Sequence, residues 1–537
     1  MTTSATRITL TRQQLDALLE QLRSRLTEGE YATIRAVFDT LAHLVQLLEQ
    51  RTTTIRRLRQ LVFGARTEKT QDVLRRVGAS QPPAARTRAA SPHRGHGRHG
   101  AQAYVGAQMV TVSHASLHQG DHCPACENGR VYALPPTRIV CIMGHAPLSA
   151  PRWEIEKLRC HLCDTIFTAT PPPGTALAKY DPTAGSMIAV LKYGTGMPFY
   201  RLARLQTSLG IPLSASTQWG IVAALAVTIR PAFNELIRQA AQGDVLHNDD
   251  TPMTVLALSA PGVKTEDDAA ATDARTGVFT SGIVSTRDGH RVALFFTGHR
   301  HAGENLAEVL AQRAAELGAP IQMCDALSRN VPKLPCALAT IVANCLAHAR
   351  RQIVDVAPDF PEECRHVLEI LAHVYHVDEQ ARAQTLSPDD RLRLHQTHSG
   401  PLMDTLQAWL HAQLDEHRIE PNSGLGKAIQ YFLNHWSKLV RFLEVAGTPL
   451  DNAVCERALK RAILHRKNAL FYKTSNGALV GDLCMSVVHT CELNGADPFH
   501  YFTALQRHAD AVASRAASWL PWNYRDTLEE IDAAQAA

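Results

Sequence analysis

Apolar residues recur every seven positions from residue 34 onward: Ile34, Leu41, Leu48, Ile55 and Val62. Val37, Leu44 and Leu58 fill the companion positions, with Arg51 the one polar intruder. A heptad repeat keeps one seam of a helix turned toward a partner. The spacing predicts a long helix that pairs with a second copy of the chain or packs on its own protein. Ahead of it, Leu15, Leu18, Leu19, Leu22 and Leu26 form a separate helical stripe that Gly29 interrupts. Gly64, with no Cβ to oppose a left-handed turn, ends the pattern. Residues 1–78 are therefore read as a helical coiled-coil region for oligomerisation and DNA binding.

Periodicity disappears over residues 79–104, which are rich in Pro, Ala, Arg and Gly and include HRGHGRHG. This composition predicts a flexible linker. Strand-like stretches at 130–134 and 153–159 belong to a small module over 105–170. Helical patterning opens after the prolines at 171–173. PFYRLARLQTSLGIPLSASTQW reads as a helix, a turn at 210–212, a cap at Ser214 or Ser216 and a second helix. That helix-turn-helix-like pattern, assigned to 171–240, is shared by many helical hairpins that touch no DNA.

From 241 to 480 the pattern changes to strands. One covers 245–256, with a polar interruption at 247–251. Two more, 278–285 and 291–297, are joined at Asp288 and Gly289 as a hairpin. An amphipathic helix follows over 302–317, then a strand at 321–324 and another at 341–346 that runs into a helix. The order βββαβ, followed by αβα, predicts an α/β catalytic core of the ribonuclease-H-like class. Residues 358–445 read as helices throughout, an all-helical insertion in that core, and 481–537 as a C-terminal helical region.

Charge is distributed unevenly. Residues 51–100 hold twelve Lys/Arg and two acids, a local +10 that leaves −6 for the rest of a chain of net charge +4. Basic charge concentrated in one segment suits a polyanion, most simply nucleic acid. Arg86, Arg88, Arg94 and Arg98 of the linker are candidate phosphate contacts, against the plainer reading of a solvated spacer. The longest apolar run, 220–229, is far short of the roughly 20 residues of a membrane span. The first residues lack the apolar stretch of a signal peptide. A cytoplasmic protein without a membrane partner is expected, with its twelve cysteines as thiols or metal ligands.

Four of these cysteines form two knuckles, Cys123-Pro-Ala-Cys126 and Cys160-His-Leu-Cys163. Each presents two thiolates on one turn, and together they close a tetrahedral site for one structural Zn²⁺, a zinc ribbon. Cys141 and His145 lie between them as substitute ligands. In the α/β core, acids at the ends of adjacent strands would face one another, with a third from a later helix. Asp249 sits on the first strand and Asp325 at the end of the fourth. Glu456 lies on the helix of DNAVCERALKRAILHRKN, which Asp451 or Asn452 can cap. Clustered carboxylates repel unless a cation binds, and two Mg²⁺ (or Mn²⁺) ions suit phosphodiester cleavage. Asp250 adjoins Asp249 but points to the opposite face of a strand. His348, Arg350 and Arg351 near the core, and Arg457, Lys460, Arg461, Arg466 and Lys467 on or beyond the Glu456 helix, are candidate DNA contacts. A buried histidine and a solvated basic face are the alternatives.

These segments together resemble the insertion sequence 66 family of transposases, a branch of the DDE transposases. The likeness runs from LRQLVFGARTEK and GHGRHG through HCPAC, RCHLC and HNDDTP. It continues through MCDALSRN, NCLAHARR and LDNAVCERALKRAILHRKNALF to CELNGADPFHYF. The resemblance implies an acid triad at Asp249, Asp325 and Glu456 and zinc ligands at Cys123, Cys126, Cys160 and Cys163. Asp250 departs from it, since the family more often has Glu there. The triad gaps are 76 and 131 positions, and the helical insertion accounts for the second. The expected function is that of a DNA transposase, a homodimer or higher oligomer that binds element ends and carries out metal-dependent cleavage and strand transfer. Companion proteins from the same element are implied by the resemblance alone. The alternatives are a zinc-ribbon DNA-binding regulator with an inactive catalytic domain, and a junction-resolving nuclease.

The ribbon reading predicts about one Zn²⁺ per purified chain, with Cys126→Ser or Cys160→Ser destabilising the module, because thiolate–metal bonds replace a core that so small a unit lacks. Elemental analysis that finds a folded, zinc-free protein contradicts it.

Overall fold

The computed structural model describes residues 146–159, 166–171, 178–259, 276–335 and 338–536, with scattered positions before residue 135. The chain divides into two units, Met1–Gly78 and Ala79–Ala537. Of the first, Tyr31, Ile34 and Arg35 are described, and they are helical. The heptad seam beyond Ile34, the basic segment with Arg86, Arg88, Arg94 and Arg98, and the four knuckle cysteines lie outside the described residues. All the elements named from here on belong to the second unit.

Two short strands, β1 (Lys157–Arg159) and β2 (Ile166–Thr168), pair antiparallel with Lys157 opposite Thr168, so they flank the second knuckle. A bridge between His122 and Arg130 flanks the first.

Helices α1 (Pro182–Ala189), α2 (Phe199–Ser208) and α3 (Ala215–Ala241) come next along the chain. The turn before α3 places Gly210 at φ +76°. Ser214 is the cap, its hydroxyl accepting the Thr217 N–H at 3.1 Å. At 27 residues α3 is long and apolar enough to cross a membrane by length and composition. It is instead a core helix that packs on the main sheet, with Val222, Leu225, Ile229, Phe233 and Leu236 buried along one face. Pro231 inside it costs roughly 3 kcal/mol. Five buried apolar side chains at roughly 1.5–3 kcal/mol each outweigh that.

The main sheet has five strands: β3 (Val245–Pro252), β4 (Phe279–Arg287), β5 (His290–Gly298), β6 (Ile321–Cys324) and β7 (Ile341–Asn344). Their order is β5-β4-β3-β6-β7. The first three are mutually antiparallel, while β6 and β7 run parallel to β3. This mixed α/β arrangement is compatible with the core of a DDE transposase. Asp288 (φ +49°) and Gly289 (φ +79°) form the two-residue turn between β4 and β5, as their sequence predicts. Strand β3 ends at Pro252, four residues earlier than expected, because the chain beyond it turns to pair with Tyr472. Helix α4 covers Ala302–Leu310 and stops well before residue 317. The Arg313 guanidinium donates to Ala241 O, Gly243 O and Gly318 O, folding 311–318 back as turns.

Helix α5 (Leu346–Val356) leaves β7. Helices α6 (Pro361–Ala383), α7 (Pro388–His398), α8 (Gly400–Asp415) and α9 (Gly424–Leu439) form the insertion, helical as expected. A buried carboxylate joins α6 to α7: Asp378 accepts from Arg391 Nε at 2.8 Å and meets His395 Nε2 at 3.3 Å. Helix α10 (Ala453–Ala469) returns to the sheet and lies against β3 and β4. The chain ends with α11 (Ser475–Leu493), α12 (Pro498–Arg507), α13 (Ala509–Ser514) and α14 (Tyr524–Ala536).

Edge strand β5 would expose unpaired backbone groups, but α11 covers them with a polar residue at every fourth position. Thr297 N–H donates to Asp482 (2.6 Å), Phe295 N–H to Ser486 (2.9 Å), Ala293 N–H to Thr490 (3.1 Å) and Arg291 N–H to Asn494 (3.1 Å). Spacings of four on a helix and two on a strand advance at nearly the same rise, about 6 and 6.6 Å. One ladder therefore satisfies the four outward N–H groups of the edge.

Burial pushes the Asp482 carboxyl up to about 7, against hydrogen bonds from Thr297 that favour its ionised form. The folded value lies above the unfolded one, so its stabilising share is complete below about pH 4 and is lost as pH rises toward 7. Asp482→Asn cannot ionise. Relative to the parent it is expected to gain a few kcal/mol between about pH 4 and 7 and to keep that gain above. Urea denaturation of both proteins at pH 5 and 8 checks this, and a pH-independent difference contradicts it.

Candidate active site

Strand alternation puts Asp249 and Asp250 on opposite faces of β3. Asp250 faces α4 and is fully buried. Its carboxylate accepts from Ser281 Oγ, its cross-strand partner, at 2.7 Å and meets His301 Nδ1 at 2.9 Å. Asp249 faces the other way, toward α10. Burial is the largest cause that raises its carboxyl, to about 6, and the nearby charge of Asp325 raises it further; His348 and Asn330 act in the opposite direction.

Asp325 follows β6 directly. A short 3₁₀ turn, Ser328–Asn330, then brings Asn330 back beneath the two acids. The Asn330 amide donates to Asp325 Oδ1 at 2.5 Å and to Asp249 Oδ1 at 3.3 Å. One NH₂ group thus bridges two carboxylates that otherwise repel. Its own position is set by its backbone carbonyl, which accepts from Asn248 and Gln322 at 2.7 and 2.8 Å. Sequence reasoning missed Asn330, whose role rests on contacts with Asn248 and Asp249 some 80 positions away that no local pattern marks.

Glu456 lies in the first turn of α10. Asp451 and Asn452 divide the work of starting that helix. The Asp451 carboxylate accepts the Ala453 N–H at 3.1 Å, and the Asn452 side chain turns to the sheet. The Asn452 amide donates to Asn248 O at 3.1 Å, and its carbonyl oxygen lies 3.1 Å from His247 Nδ1. Gly282, directly opposite Asp249 on β4, lets α10 come close: a Cβ there would stand 2.9 Å from Leu459 and 3.3 Å from Cys455 Sγ. That approach carries Glu456 toward the Asp249 face, where buried Cys455 is within electrostatic reach of Asp249, Glu456 and Asp250. His348, in the first turn of α5, has Nδ1 3.7 Å from Glu456 Oε1. From the insertion, Tyr431 on α9 overlooks Asp325; its hydroxyl is pushed up to about 12, by burial first and then by that charge.

The basic residues fall into two groups. Arg457, Lys460 and Lys467 are exposed on α10, and Arg351 is exposed on α5 beside half-buried Arg350. Arg461 is held by Gly194 O (2.9 Å) and Glu492, and Arg466 by Thr251 Oγ1 (3.3 Å) and Pro252 O. Asp249 and Asp325 offer paired carboxylate oxygens of the kind a hard divalent cation takes. They are held together by one amide, and the raised Asp249 carboxyl is the strain that a cation would relieve.

A family model described as Transposase IS66 family matches residues 178–479, a stretch that holds Asp249, Asp325 and Glu456. The chain belongs to that family. Among its relatives in Sinorhizobium fredii (strain NBRC 101917 / NGR234), uncharacterized protein y4jD is 26% identical over 430 residues, covering 75% of this chain and 78% of its own. Uncharacterized protein y4hP is 26% identical over 391 residues, covering 69% of this chain and 67% of its own. The five-stranded sheet lies wholly within the matched stretch of this IS66-family transposase.

Packing at Gly282 is directly testable. Gly282→Val gains strand propensity, worth up to about 1 kcal/mol. It also forces methyl groups into Leu459 and Cys455, and overpacking costs roughly 1–3 kcal/mol. A net loss in thermal stability is expected, larger than for Gly282→Ala. A Val variant as stable as the parent means that α10 does not depend on this approach.

Proposed function

We propose that this IS66-family protein is a transposase that cuts DNA at the ends of its element and joins the freed ends to a target, on a ribonuclease-H-like core. The observation that carries the reading is the juxtaposition of Asp249 and Asp325 under one Asn330 amide, on the face that α10 covers. Two Mg²⁺ or Mn²⁺ ions held by Asp249, Asp325 and Glu456 would activate the attacking oxygen and stabilise the leaving one. In the first reaction water displaces a 3′-oxygen at a phosphodiester of the element end, leaving a free 3′-hydroxyl. In the second that hydroxyl displaces a 3′-oxygen in target DNA, one phosphodiester forming as another breaks.

The chain's own groups position these partners. Asn330 keeps two carboxylates at fixed separation, and Asn452 fixes the third acid's helix on the strand that carries the first. Arg457, Lys460 and Lys467, with Arg350 and Arg351, are assigned to phosphates, which set register without reading bases. His348 is assigned to the DNA beside the site. Arg461 and Arg466 hold α10, which presents that basic face. Arg86, Arg88, Arg94 and Arg98 are assigned to sequence-independent affinity, the four knuckle cysteines to one structural Zn²⁺, and the heptad segment to self-association.

Asp249→Asn, Asp325→Asn and Glu456→Gln each remove one charge and keep nearly the same volume. Folding and DNA binding are expected to survive, and Mg²⁺-dependent cleavage of element-end DNA to fall by several orders of magnitude. Asp250→Asn, on the far face, is expected to be much milder. Near-normal cleavage by Glu456→Gln removes it from the triad, and full loss in Asp250→Asn alone means that the opposite face of β3 is the catalytic one.

A further inference from the structure

We propose that Cys345, His348 and Glu456 form a binding site for a thiophilic divalent cation of the zinc and cadmium class. Their ligand atoms, one sulfur, one imidazole nitrogen and one carboxylate oxygen, all lie within 4.8 Å of one another. Cys345 is the residue before α5 and His348 is in its first turn, so a spacing of three places both on one side of the helix start. Glu456 reaches them from the first turn of α10. Zinc–ligand bonds of about 2.0–2.3 Å in a tetrahedron put neighbouring ligands roughly 3.5 Å apart. Closing the cluster thus asks for movements of about 1 Å in two partly exposed side chains.

Two further observations point to a ligand. The His348 Nδ1 is buried without a hydrogen-bond partner, 3.7 Å from the Glu456 carboxylate. A buried polar atom left so is costly and is what a cation between the two would satisfy. The Cys345 sulfur is fully buried and accepts the Asn452 N–H at 3.2 Å. That donor supports charge on sulfur once the cation replaces the thiol proton, which leaves to solvent. A sulfur–nitrogen–oxygen donor set favours zinc-like cations, whereas Mg²⁺ prefers oxygen alone.

Glu456 belongs to both donor sets. Occupation of this site therefore withdraws the third acid from the Mg²⁺ arrangement and makes zinc-class cations inhibitors of cleavage. That consequence rests on the function proposed above; the binding site itself does not.

The test is titration of the full-length protein with Cd²⁺, following the ultraviolet sulfur-to-cadmium charge-transfer band and the bound ion by equilibrium dialysis. The wild type is expected to bind about one Cd²⁺ more per chain than Cys345→Ser or His348→Gln, in addition to ions on the knuckle cysteines. Cys364→Ser, which removes a different buried thiol, is expected to keep the wild-type number. His348→Gln alters a partly exposed side chain and carries the comparison if Cys345→Ser does not fold. Equal Cd²⁺ numbers in wild type and His348→Gln overturn the site. A protein that cleaves DNA with Mg²⁺ but binds no additional Cd²⁺ loses only this site; one that binds the additional ion and never cleaves loses only the proposed function.

Discussion

Asn452 ties together the three elements on which the site depends. Its amide donates to β3, its side-chain oxygen meets the His247 ring, and its backbone N–H reaches the sulfur at the start of α5. His247 is neutral there, since burial holds it down at about 4, so its ring N–H is the donor to Asn452 across the physiological range. Each of these groups would cost roughly 1–3 kcal/mol if left unpaired in the interior. Helix α10 cannot slide along the sheet without orphaning several at once. That constraint, with the close approach at Gly282, holds against the sheet the helix whose first turn carries Glu456, 131 positions beyond Asp325.

The rest of the polar interior extends the same logic. Gln322 on β6 donates to Asn248 on β3 and to the Asn330 carbonyl, and it accepts from Thr340. Asn330 in turn reaches two acids. Carboxylates that repel are thus held by neutral amides rather than by arginines, which would bring their own charge and compete with a cation for the same oxygens. Two arginines of α10, Arg461 and Arg466, instead grip the backbone carbonyls of Gly194 and Pro252.

Much of this frame was legible in the sequence. Strand β6 falls on the residues that its apolar run marks, the β4–β5 turn on Asp288 and Gly289, and the insertion on a stretch with helical patterning throughout. A period of two sufficed to separate Asp249 from Asp250. What the pattern hid depends on contacts distant in sequence. Helix α4 ends at Leu310 because Arg313 finds carbonyls some 70 positions away. Asn330 and Gly282 matter only through what crosses over them. The Asp482, Ser486, Thr490 and Asn494 stripe reads as an ordinary polar interruption of an apolar helix until edge strand β5 is set beside it.

The proposed convergence of Asp249, Asp325 and Glu456 on one cation site is tested most directly by letting a redox-active metal mark its own position. Fe²⁺ in place of Mg²⁺, with ascorbate and peroxide, cuts a polypeptide chain close to where the ion is held. Three clusters of cuts are expected, in β3, just after β6 and at the start of α10, all suppressed together by excess Mg²⁺. Cuts near only one of these segments, or cuts at the three that Mg²⁺ suppresses independently, would contradict it.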